Sequence, residues 1–136
     1  MAVVDELIRS EADGSLSFGN YQLTSKAKKE DFEHTGDLYK VKTYNELTKL
    51  EKNGLFVYES VPGTAVTALK ETGNGMELTV EGANDAQITL GLMDDTEYEV
   101  FVDGVSSGKV TTHLGGKLSV SLELEEGRGV AVRVVK

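Results

Sequence analysis

From Ser15 onward, apolar positions alternate with polar ones at a period of two, and glycine, asparagine or aspartate interrupts the pattern at short intervals. Tyr98, Val100 and Val102 fall on one side of such a run, and Asp103-Gly104 after them suits the positive φ angles of a tight hairpin turn. Leu118, Val120, Leu122 and Leu124 repeat the pattern, as do Val130, Val132 and Val134. The pattern predicts antiparallel strands near 64–70, 75–81, 86–91, 97–103, 107–112, 117–124 and 129–135. Seven short strands in this span describe a small sandwich.

The N-terminal half is less regular. Val3, Val4, Leu7 and Ile8 recur at helical spacing and Asp13-Gly14 offers a stop, so one short N-terminal helix is expected as a cap on the sheet. Leu16 and Phe18 begin the period of two, KKEDFEHT reads as a polar strand, and in DLYKVKTY the side chains of Tyr39, Val41 and Thr43 oppose Lys40 and Lys42. In NELTKLEKNGLFVYES a helix competes with a hairpin. The Asn53-Gly54 pair favours the hairpin, with Lys52 opposite Leu55, Leu50 opposite Val57, and Leu50, Leu55 and Val57 on one face.

Val61-Pro62-Gly63 marks the expected boundary, because proline lacks the amide hydrogen a ladder needs and holds its predecessor extended. The resulting expectation is an all-β chain. An antiparallel β-sandwich over 63–136 packs against a smaller β-hairpin region over 1–62 that carries the leading helix.

Composition narrows the chemistry. The chain of 136 residues has no cysteine, so disulfides and thiolate metal sites are excluded. Its net charge is −9, with 8 basic against 11 acidic residues in 1–62 and 6 against 12 in 63–136, which opposes binding to nucleic acid or anionic lipid. Neither a basic leader nor a membrane-length apolar run is present, and the default location is cytoplasmic, with no membrane partner.

Few residues suggest a site. His34 and His113 stand far apart in sequence without metal-ligand spacing, no nucleophile elbow occurs, and the alternating Glu97 and Glu99 read as the wet side of a strand. Asp85, Asp94 and Asp95 are the candidate ligands for a Ca²⁺ ion, as oxygen donors on adjacent loops. Among the tyrosines, Tyr39 and Tyr98 keep phase with core valines. Tyr44 and Tyr58, beside polar neighbours, are the candidates for a ligand surface such as a sugar platform.

The run YEVFVDGVSSGKVTTHLGGKLSVSLEL, residues 98 to 124, resembles the small accessory β-sandwich modules of bacterial carbohydrate-active enzymes. The whole chain is similar to small bacterial proteins sometimes labelled endosialidase. That label implies cleavage of polysialic acid, which depends on an arginine cluster and a tyrosine nucleophile in a larger propeller. Beyond Arg9 this chain has only Arg128 and Arg133, so no catalytic residue is carried over. The expected function is a noncatalytic binding or accessory module without a cofactor, related to carbohydrate. The alternative is a structural protein that self-associates or docks to a protein partner, and an enzyme ranks third.

Overall fold

The structure is a computed structural model and describes residues 3–136. The described chain is all-β, with two antiparallel sheets. The strands are β1 (Ile8–Ser10), β2 (Leu16–Phe18), β3 (Ala27–His34), β4 (Asp37–Tyr44), β5 (Leu47–Lys52), β6 (Leu55–Val61), β7 (Ala65–Thr72), β8 (Gly75–Glu81), β9 (Ala86–Gly91), β10 (Glu97–Val102), β11 (Val105–Thr111), β12 (Lys117–Leu122) and β13 (Val130–Val135). One sheet runs β1-β2-β7-β8-β13-β10-β11 and the other β12-β9-β6-β5-β4-β3.

The seven C-terminal strands lie within a few residues of their predicted positions, and all of them but β11 bury an apolar face. Val66, Leu78, Val80, Val100, Val132 and Val134 of one sheet and Val41, Leu50, Ile88, Leu90 and Leu118 of the other belong to a single buried cluster. The arrangement is sandwich-like. Phe18 of β2 meets Tyr58 of β6 edge to face across it, with centroids 5.3 Å apart.

The expected N-terminal helix is not formed. Leu7 adopts a left-handed φ of 76°, Leu7 N donates to Val4 O in a turn, and Ile8 enters a strand opposite Phe18. About nine residues make a marginal helix in water, so burial of Ile8 against the sheet prevails over helical periodicity.

Pro62 stands where the chain leaves one sheet for the other, after β6 and before β7, with a cis Val61–Pro62 peptide. Sheet pairing does pause there. The two parts expected to meet at this point are interleaved, however: β1 and β2 join β7 in one sheet, and β9 joins β6 in the other. Gly63 is pinned in the crossing, its N donating to Asn45 O at 3.1 Å, and a Cβ there would stand 1.9 Å from Tyr44 O.

A buried chain of hydroxyls closes the same region. Asn20 N donates to Thr43 Oγ1 (2.8 Å), Thr43 and Thr48 share a bond of 2.9 Å, and Thr48 Oγ1 donates to Thr64 O (2.8 Å) while accepting from Thr64 N (3.1 Å). Every polar atom in it has a partner, which is the condition for such a network to hold a core together.

Candidate functional site

The Asn53-Gly54 turn forms as the dipeptide predicts, with φ of 52° and 81° and Lys52 opposite Leu55. The register then slips. A bulge beside Leu50 places Tyr58 opposite Leu50, where Val57 was expected. Val57 and Tyr58 are therefore both buried, and Leu55, at the hairpin tip, is 70% exposed.

This removes Tyr58 from the ligand surface. It is 0% exposed, its hydroxyl lies 2.7 Å from Thr64 Oγ1, and burial pushes the phenol far above its usual range. Tyr44 is half-buried, with Lys26 Nζ 5.7 Å from its ring centroid. The two tyrosines do not form a platform. Tyr39 and Tyr98 lie in the core, as their phase predicts.

The proposed Ca²⁺ ligands are also separated. Asp85 directly precedes β9 and Asp94-Asp95 follow its far end, across a strand spanning about 17 Å. Asp85 Oδ1 instead accepts from Leu124 N at 3.1 Å. Among the described residues no three His, Asp or Glu side chains are grouped as a cation would need. Neighbouring loops in sequence here lie at opposite ends of one strand.

His34 is buried at the opposite side of the molecule from His113, which is exposed in the turn after β11. The His34 Nε2–H donates to Gly14 O (3.1 Å), and in the neutral ring Nδ1 then accepts from Ser10 Oγ (2.7 Å). Both nitrogens are used to tie β3 to the β1–β2 hairpin. Glu81, another buried polar group, accepts from Tyr21 Oη (3.0 Å) and Gly127 N (2.9 Å) through Oε2. Burial, then the bond to Glu81, raises the Tyr21 phenol to about 12.

A cleft of about 660 Å³ lies at the end of the sandwich where the two sheets stop unevenly. β1 lies against β3 at one end of the strand order, so counting inward sets β10 over β12 and leaves β11 with nothing opposite. Ala86, Val102, Leu122 and Val130 form the floor of the cleft, and Asp85, Asp103, Glu123 and Arg128 its rim. The rim is internally bonded. Asp103 Oδ2 accepts from Arg128 Nη2 (2.9 Å) and its Oδ1 from Ala131 N (3.0 Å), which holds the β10–β11 turn over the start of β13.

No protein family, curated protein or solved structure matches this chain. Every residue of β11 is exposed, including those on the inward side. Tyr98 pairs with Val110 and Val102 with Val105, and Tyr98 faces the core, so both valines point inward. A bulge between Val100 and Phe101 allows this although the valines are an odd number of residues apart. Val105 is 68% and Val110 42% exposed because the six-stranded sheet ends at β12.

The sequence carries one sign of this site. VSSGKVT interrupts the clean alternation of its neighbours with serines and glycine, as suits a strand covered on neither face. What it lacks is any indication that the opposite sheet is one strand short.

Proposed function

We propose that the chain is a noncatalytic accessory module that works by docking to another protein chain through its open end. The observation that supports this reading is the step of seven strands against six, which leaves the free edges of β11 and β12 and the inward face of β11 uncovered. Strand edges are templates for pairing, and proteins that stay alone protect them. The other edges have such protection: β1 has only three residues, and β3 carries Lys28, Lys29 and Glu30 with a bulge at Asp31. At the open end, exposed valines on β11 and the apolar floor of the cleft lie side by side.

An accessory role agrees with the modules that residues 98 to 124 resemble, whose sandwich serves a neighbouring protein. The carbohydrate contact implied by that resemblance has less support, since Tyr58 is in the core.

Amide hydrogen exchange tests the docking reading. In the assembled state the outward-edge amides of β11 and β12 are expected to exchange slowly, like those of the inner strand β13. Fast exchange on both edges, for the protein at high concentration and in extract of its host, would rule the reading out.

A further inference from the structure

We propose that the partner is a second copy of the chain, interlocked about a twofold axis that lies between the two layers and runs parallel to the strands. The inference rests on the docking reading above and adds the identity of the occupant. Such an axis exchanges the layers while preserving strand direction. It therefore sets β12 of the second copy beside β11 in one layer, and β11 of the second copy beside β12 in the other.

Strand direction agrees with this. β10 ends at Val102 beside Asp103, and β12 ends at Leu122 beside Glu123; all four residues line one cleft, so β10 and β12 run the same way. β11 is antiparallel to β10, so it is antiparallel to β12 of the second copy, and the new joints continue the pairing of both sheets. Strand count agrees as well. The vacancy opposite β11 in each copy is filled by β11 of the other, two thirteen-stranded layers result from seven strands plus six, and no edge at the joint stays free.

Charge agrees a third time. In a protein with 23 acidic residues and a net charge of −9, neither β11 (VSSGKVT) nor β12 (KLSVSL) contains one. Their only charges are Lys109 and Lys117. Lys109 lies opposite Glu99, and Glu97 pairs with Thr111 at the end of β11 that meets the start of β12 from the second copy. Lys117 of that copy thus arrives on the Glu97 side of the joint. Val105 and Val110, facing inward on both copies of β11, cover one another across the axis. The acidic rims of the two copies come to the same end, so association is expected to tighten as salt screens them.

The geometry makes a specific crosslinking prediction. With the axis parallel to β11, each inward residue faces its own counterpart across layers about 10 Å apart, and each outward residue points away from it. The chain has no cysteine, so one introduced thiol is unique. Val110→Cys is expected to give a covalent dimer with a short bis-maleimide, while Thr111→Cys, on the opposite face, is not.

Light scattering and sedimentation of the full chain are expected to show a dimer, and Val110→Lys to weaken it about tenfold or more, because a lysine replaces a valine buried at the joint. Circular dichroism checks that this variant folds, as the exposure of Val110 in the single chain allows. A monomer at all concentrations and salt strengths overturns the inference, and crosslinking through Thr111→Cys in place of Val110→Cys overturns its axis. If the monomer's edge amides become protected only when a different protein binds, the second copy is refuted and the docking reading stands. Fast edge exchange in both settings refutes the two together.

Discussion

Replacement of Tyr58 separates a core residue from a ligand platform. Tyr58→Phe removes only the hydroxyl that meets Thr64 Oγ1 at 2.7 Å, and Thr64 Oγ1 keeps Ser60 Oγ at 2.8 Å. No buried donor is orphaned, so the cost is about 1 kcal/mol, the net value of one hydrogen bond. Tyr58→Ala also removes a fully buried ring and its edge-to-face contact with Phe18 at 5.3 Å. The two sheets cannot close over a gap of that size, and the cost rises to about 3–5 kcal/mol. For a domain of this length about 1 kcal/mol moves the melting temperature by roughly 3–4 °C, so Tyr58→Ala should fall by about 10 °C or more. Urea denaturation followed by circular dichroism measures both variants, with an unchanged m-value confirming the same transition. A Tyr58→Ala protein that melts within about 2 °C of the parent would refute the buried placement and return Tyr58 to the surface.

Alkaline pH gives a second expectation. Burial raises the phenols of Tyr58, Tyr39 and Tyr21 above the ordinary value of 10.0, so the fold favours their neutral forms. Their contribution is complete below the unfolded value and is lost as pH climbs through the folded one, for Tyr21 between about 10 and about 12. Denaturation midpoints should therefore drop from about pH 10 upward, and Tyr21→Phe should lessen the drop; a flat profile would contradict it. Two glycines give a third expectation. Gly63→Ala would place its Cβ 1.9 Å from Tyr44 O and should destabilise strongly, by about 3 kcal/mol or more, whereas Gly73→Ala meets nothing within 4 Å and should be neutral or stabilising by up to about 1 kcal/mol. Equal melting temperatures for the two variants would show that the crossing at Gly63 is not as tight as described.

The C-terminal strands and the two hairpin turns were legible because their signals are local. Alternation states which side of a strand is buried, and Asp103-Gly104 adopts φ of 51° and 82° as that dipeptide suggests. Elsewhere a distant partner decides the structure. Val4, Leu7 and Ile8 have helical spacing, yet Phe18 captures Ile8 into a ladder. The polar neighbours Glu59 and Ser60 predict an exposed Tyr58, but the bulge beside Leu50 turns it inward. Asp85 and Asp94 are near in sequence and a full strand apart in space. The open end depends on how many strands each sheet receives, a global property that no short stretch encodes.

The interleaving of the two sheets across Pro62 also governs the order in which the chain can become ordered. A nascent chain ending at Pro62 could pair β3 through β6 and β1 with β2, but β2 would still lack β7 and β6 would lack β9. Closure of the seven-stranded sheet waits longer, because β8 pairs with β13, which follows it only after four intervening strands. Native structure is thus completed from contacts that span much of the chain, a slow route for a β protein. Until β13 emerges, β8 and β10 lack the strand that lies between them, an open edge like the one β11 keeps in the folded single chain.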